Sequence, residues 1–174
     1  MVPYVRPDGG GGEVAVSSPS DRQLLEQLAI GRLQSAYADV VNRRAWEELV
    51  PLFEPGAPIR IDPVTRDAIE LEGPEALGEF VGSAVERFAF FEFVILNAHV
   101  ELPTDEAPDD ATARIFMCEA RRDVGTLEWS TAYGVYHDRY RRTEGSWRFA
   151  RRDYQSLTRT GGEVFPFPHH LGGR

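Results

Sequence analysis

Leu25, Leu28, Leu33, Ala36 and Val40 recur at steps of three to five residues. That spacing gathers them on one side of a chain with 3.6 residues per turn and predicts a helix with one buried stripe. Ser20 and Asp21, both good capping types, place its start. Trp46, Leu49, Val50, Leu52 and Phe53 predict a second, short helix, which Pro51 and then Pro55 with Gly56 close. Residues 59–62 and 68–71 read as a strand and its return around a turn at 63–67. Gly73-Pro74-Glu75 opens a third helix, with proline in the first turn where no amide partner is lost. Leu77, Phe80, Val81, Ala84 and Val85 form its apolar face.

Long strands follow at 90–102, 111–123, 126–142 and 147–158, divided by an acidic stretch at 105–110, by Gly125 and by Glu144-Gly145. Turn residues at such regular intervals indicate an antiparallel meander. The element order makes the chain one α+β domain over residues 20–160. Residues 1–19, with four glycines in a row and several serines, read as a flexible tail. The tail 161–174 sets Val164, Phe165 and Phe167 among prolines. It is expected to cover the pocket mouth or a neighbouring subunit, or to pack on the domain's own surface.

Composition narrows the function classes. A net charge of −9 argues against nucleic acid, which needs a clustered basic surface. Arg139, Arg141, Arg142, Arg148, Arg151 and Arg152 do cluster late, and read as a solvated sheet face that pairs with the acidic excess. No apolar run reaches the roughly 20 residues that span a bilayer, and no basic-then-apolar leader is visible. Cytoplasmic residence without a membrane partner is the expectation. The single cysteine, Cys118, forms no internal disulfide and reads as an inert buried thiol. His99, His137, His169 and His170 are dispersed without ligand-like spacing, so no metal is expected. No nucleophile elbow, phosphate loop or dinucleotide fingerprint appears, and no cofactor is expected.

Three stretches carry a family resemblance: Tyr37-Ala38 with Trp46, Leu49 and Leu52-Phe53; Gly73-Pro74-Glu75-Ala76; and Tyr136-His137-Asp138-Arg139-Tyr140 with Gly145-Ser146-Trp147-Arg148-Phe149. In this order they resemble the SnoaL-like branch of the nuclear transport factor 2-like superfamily, over about residues 21–159. The resemblance implies a cone-shaped roll, three N-terminal helices on a strongly curved antiparallel or mixed sheet. It also implies a small-molecule pocket and a homodimer. The superfamily includes ketosteroid isomerases, polyketide cyclases, scytalone dehydratase, dioxygenase β subunits and plain binding proteins, so the residues must decide the function.

Asp138 is the leading candidate. Ser130, Ala132, Gly134, Tyr136 and Asp138 share one strand face, and small residues there leave room beside a carboxylate. An apolar wall would raise its pKa toward neutrality for acid–base work. The position resembles the acidic residue of ketosteroid isomerases and SnoaL-like cyclases. On this reading Asp138→Asn should leave stability nearly intact and abolish turnover. Asp62 resembles the isomerases' proton-shuttling aspartate, or is a turn-starting Asp-Pro. Tyr37 lies where the isomerases place an oxyanion-binding phenol, or is a core tyrosine. Asn97 and His99 are expected on one face with Phe91, Phe93 and Ile95, and with Phe93, Tyr136 and Trp46 they are the expected substrate contacts. The Asp–His dyad of scytalone dehydratase-like relatives is missing, because Asn42 and Phe93 stand at its positions. Three functions remain open: a cofactor-independent isomerase, dehydratase or cyclase for a small hydrophobic keto or polyketide-like substrate; a non-catalytic ligand-binding or dimerisation module; and an accessory subunit resembling a dioxygenase β chain.

Overall fold

The computed structural model describes residues 19–166. Most of the N-terminal tail, and Phe167 onward in the C-terminal tail, lie outside the described residues. The first helix, α1 (Asp21–Arg43), opens with a reciprocal cap. Ser20 Oγ accepts from the Gln23 amide at 3.3 Å, and Gln23 Oε1 accepts from the Ser20 amide at 2.8 Å. It closes at Arg44 in the left-handed region, φ 57°. The helix buries Ile30, Leu33, Gln34, Tyr37, Val40 and Val41. The expected stripe is therefore corrected in its first half. Leu25 and Leu28 are 66% and 60% exposed, because the helix enters the core only near Ile30, and before it the contact with the sheet runs through Glu26, which accepts from Trp147 Nε1 and pairs with Arg142.

A 3-10 helix (Trp46–Leu52) follows and contains Pro51. Strand β1 (Pro58–Asp62) pairs antiparallel with β2 (Ile69–Glu72) and parallel with the last strand, β6 (Ser146–Arg159). Between them in the chain come α2 (Gly73–Val85), β3 (Phe88–Glu101), β4 (Asp110–Asp123) and β5 (Trp129–Thr143). The sheet order is β2-β1-β6-β5-β4-β3, so the sheet is mixed through one parallel pair. β5 begins at Trp129 rather than 126. Asp123 Oδ1 accepts from the Gly125 and Thr126 amides at 2.9 and 3.1 Å, which widens the turn. Glu144 and Gly145 both have positive φ, 53° and 79°, as a two-residue hairpin with right-handed twist requires.

Alternation puts Ala111, Ala113, Ile115 and Met117 of β4 on the inner face, all buried. They meet Ile30, Tyr37 and Val40 of α1, Leu49, Phe53, and Tyr140 and Phe149 of β5 and β6 in one core. Four bulges break that alternation. On β3, Ala89 is an extra residue between Phe88, paired with Asp123, and Phe90, paired with Arg122, and Leu96 is another between Ile95, paired with Met117, and Asn97, paired with Phe116. On β6, Ala150 and Leu157 are the extra residues. Among the described residues no helix is long and apolar enough to cross a membrane.

Candidate functional site

Between α2 and the inner face of the sheet lies a cavity of about 340 Å³. That volume lies within the range of small-molecule sites. Tyr37, Ile59, Leu77, Arg152 and Tyr154 are its buried floor, and exposed Arg66, Arg87 and Arg159 stand at its mouth. Ile61, Phe80, Val81, Phe88, Phe91 and Tyr136 supply most of the remaining apolar wall, and Glu119 and Arg121 bring charge from β4.

Arg152 is fully buried. Its Nε donates to Asp138 Oδ1 at 2.8 Å and its Nη2 to Asp138 Oδ2 at 2.9 Å. Nη2 also donates to Gln34 Oε1 at 3.1 Å. Asp138 Oδ2 further accepts from Gln34 Nε2 at 2.8 Å and from the Tyr140 hydroxyl at 3.0 Å, and Gln34 Nε2 and that hydroxyl are themselves in contact. The guanidinium carbon lies 4.0 Å from the ring centre of Tyr37, 4.1 Å from Tyr136 and 4.4 Å from Phe149. A cation out of water is tolerated only when paired and hydrogen-bonded, and three ring faces add attraction. Burial opposes the charge, yet Asp138 and the two tyrosines hold the Arg152 pKa above its ordinary value. One donor is left over: Nη1 is buried without a hydrogen-bond partner. Burial raises the Tyr37 and Tyr136 phenols, so both stay protonated donors at neutral pH.

Glu119 presents the opposite balance. It stands across from Phe93 on β3 and Ala132 on β5, and Ala132 stands across from Arg159 on β6. Its ion-pair partner is Arg121, whose Nη1 is 3.6 Å from Oε2, beyond good hydrogen-bonding distance. Burial pushes the Glu119 carboxyl above its usual range, and the charges of Arg121 and Arg159 only partly restrain it. A carboxyl so placed can hold or release a proton nearer neutrality than a solvated one. Among the described residues no group of three His, Cys, Asp or Glu side chains could hold a metal ion.

A family model of the SnoaL-like domain matches residues 22–153. The chain belongs to the SnoaL-like family. Solved structures share its fold at low identity. A candidate scytalone dehydratase from Novosphingobium aromaticivorans DSM 12444 is 21% identical, with a TM-score of 0.70 over 83% of this chain and 93% of that one. Hexachlorocyclohexane dehydrochlorinase LinA-type3 from Novosphingobium barchaimii LL02 is 22% identical, with a TM-score of 0.68 over 86% and 100%. A nuclear transport factor 2-like protein with a cystatin-like fold, from Novosphingobium aromaticivorans, is 20% identical, with a TM-score of 0.63 over 78% and 84%. No curated protein matches the sequence.

Within this SnoaL-like domain the expected site residues separate. Tyr37 and Tyr136 line the cavity together. Phe93 packs edge-on against both, at 5.7 and 6.1 Å between ring centres, without lining it. Asp138 is 2% exposed and lies behind Arg152 rather than in the lining. Its partner is neither Arg139 nor Arg141. Asp62 serves its turn: Oδ1 accepts from the Val64 amide at 2.8 Å and Oδ2 from Arg60 at 3.1 Å. Asn97 and His99 do not share a face with Phe93 and Ile95, since the Leu96 bulge turns both outward and leaves them exposed. Trp46 also lies away from the cavity. It fills a groove left by Gly78 and Gly82 of α2, where an added Cβ would sit 3.1 Å from it. Asn42 is committed to the backbone of Phe93, donating to its carbonyl at 2.9 Å and accepting from its amide at 2.7 Å.

Arg152 and Glu119 escaped the sequence reading. The late basic cluster is solvated and acid-paired at Arg141, Arg142, Arg148 and Arg151, as expected, but not at Arg152. The Ala150 bulge shifts Arg152 onto the inner face, where unbroken alternation from Trp147 and Phe149 would put Arg151. Glu119 did leave a signal: it continues the inward series Ala111, Ala113, Ile115, Met117, and a carboxylate at the next place in an apolar series is rarely there for packing.

Proposed function

We propose that this SnoaL-like domain is an acid–base enzyme of the isomerase, dehydratase or cyclase type, acting on a small, mostly apolar substrate with a carbonyl oxygen. The observation that carries the reading is Glu119, a half-buried carboxyl whose pKa burial raises, facing a cavity with aromatic and aliphatic walls. Glu119 takes a proton from the carbon beside the carbonyl. Charge develops on the carbonyl oxygen, where Arg152 Nη1 and the neutral Tyr37 and Tyr136 hydroxyls are the donors on hand. The proton then returns to another carbon, or the enolate expels a group from the β-carbon. Asp138 acts as a positioning residue, holding Arg152 charged and fixed. The dehydratase and dehydrochlorinase names among the fold's neighbours support an elimination.

The test is solvent exchange at the α-carbon. Small cyclic and aryl ketones are incubated with the protein in D2O and followed by proton NMR. Wild type should catalyse exchange, and Glu119→Gln should not while remaining folded. No exchange above buffer, or equal exchange by both proteins, counts against the reading. A non-catalytic binding module is the second reading. What favours it is Asn42, whose side chain is consumed by Phe93 where relatives of the dyad type keep a carboxylate.

A further inference from the structure

The charges around the cavity do not balance. Arg60, Arg66, Arg87, Arg121, Arg152 and Arg159 all reach its lining, and Glu119 is the one carboxylate among the lining residues. Three of the cations are matched from outside it. Asp138 takes Arg152, Asp62 and Glu70 take Arg60, and Asp123 takes Arg87 at 3.1 Å. Arg66, Arg121 and Arg159 remain, with Glu119 to share.

Arg121 is under-partnered for its burial. Its side chain is 12% exposed, its Nε is buried without a hydrogen-bond partner, and its ion-pair contact with Glu119 is long. Its guanidinium rests over Phe88, 5.4 Å from the ring centre. Burial, with repulsion from Arg159 and Arg87, lowers its pKa below the ordinary arginine value despite Glu119. An arginine is costly to bury with a donor unmet, and an anion in the cavity would satisfy both the charge and the donor.

We propose that the cavity takes a small carboxylic acid with an apolar body, its carboxylate held at the sheet side of the mouth by Arg121 and Arg159. The apolar body lies against Phe80, Val81, Phe88 and Phe91, and the reacting end points toward Tyr37 and Arg152 on the floor. The guanidinium fork suits a planar carboxylate better than a neutral group of the same shape. This inference rests on the cavity being the substrate site.

The test uses matched pairs with the full chain: 2-naphthoate, cyclohexanecarboxylate and 3-phenylpropionate against their primary amides, by calorimetry and thermal shift at low salt. Carboxylates should bind about tenfold or more tighter than their amides, as a charge-assisted hydrogen bond gives. Arg159 is exposed, so Arg159→Gln should fold. It and Arg121→Gln should each remove most of the preference for acid over amide. Amides that bind as well as acids would overturn the anion preference and leave the cavity reading standing. If neither series binds, the cavity reading falls and this inference falls with it.

Discussion

Asp138→Asn should destabilise the fold severely. Both side chains of the Asp138–Arg152 pair are fully buried. Asparagine keeps the size and one acceptor, which can still take the Arg152 Nε bond. It replaces Oδ2 with an amide donor, and that oxygen now receives Arg152 Nη2, Gln34 Nε2 and the Tyr140 hydroxyl. Donor then faces donor at Arg152 Nη2 and Gln34 Nε2, the Tyr140 hydroxyl must turn to accept, and Arg152 loses its counter-charge. Removing one member of a buried pair costs about 3–5 kcal/mol. A domain near 150 residues loses roughly 3 °C in Tm per kcal/mol, so the expected fall is about 10–15 °C. Thermal unfolding by circular dichroism measures it. The control is Asp138→Asn combined with Arg152→Met, which removes the stranded charge and should recover much of the loss. A Tm within about 3 °C of wild type, or a double variant whose loss is the sum of the two single losses, would refute the account of Asp138 as the counter-ion of Arg152. It would return Asp138 to the free acid–base role that its strand face suggests.

Gly134→Ala should cost about 1–3 kcal/mol, since an added Cβ would lie 2.2 Å from Cε2 of Tyr154; urea unfolding with and without Tyr154→Leu tests whether that ring is the cause. Asn42→Ala should loosen the β3 edge, costing about 1 kcal/mol and speeding hydrogen exchange at the Phe93 amide, which loses its acceptor. Glu119→Gln should raise Tm at pH 7–8 and gain little below about pH 4.5. A carboxyl raised in the folded state binds more protons folded than unfolded, so its stabilising effect is lost as pH rises through the folded value. A Tm difference that does not change with pH would contradict the shift. Phe90, Trp129, Val94 and Tyr133 stand exposed on the outer face in two rows with Glu92, Ala120 and Thr131 between them, and Phe90 and Trp129 are 5.3 Å apart between ring centres. Light scattering should give a homodimer that Trp129→Glu dissociates, and a monomeric wild type would end that expectation.

The element order was legible because it is written in local chemistry. Ser20 with Gln23, Pro74 after Gly73, and Glu144-Gly145 each fix a boundary within a few residues. The α+β class and the meander followed from these signals, and two of the candidate residues, Tyr37 and Tyr136, line the same cavity. The candidate site was less legible because single-residue insertions decide which side chains face inward. Leu96 turns Asn97 and His99 out, and Ala150 brings Arg152 in. A bulge leaves no composition signature, so alternation counted along the sequence fails beyond it. Leu25 and Leu28 misled for another reason: periodicity reports which face of a helix is apolar, not how far the body beneath it extends.

Three carboxylates were open to the acid–base role, and their surroundings assign them different work. Asp62 sits half-exposed, with a backbone amide and Arg60 as partners, and fixes a turn. Asp138 sits in the dry core, where four hydrogen bonds from Arg152, Gln34 and Tyr140 reach its two oxygens. It lies behind Arg152 and outside the cavity lining, and its charge is spent on holding Arg152. Glu119 has burial without saturation: one long ion-pair contact, a cavity in front of it, and a proton affinity raised by the same burial. Proton transfer needs an acceptor whose partner is absent until the substrate arrives, and of the three only Glu119 meets that condition. The same logic separates the arginines, since Arg152 is satisfied on one side and offers Nη1 on the other, while Arg121 remains under-partnered. Unmet donors on both guanidinium groups and an under-bound carboxyl along one cavity wall are costly in an empty protein. A substrate with a carbonyl at one end and a carboxylate at the other would satisfy both guanidinium groups, and the carbon beside that carbonyl would bring Glu119 its proton.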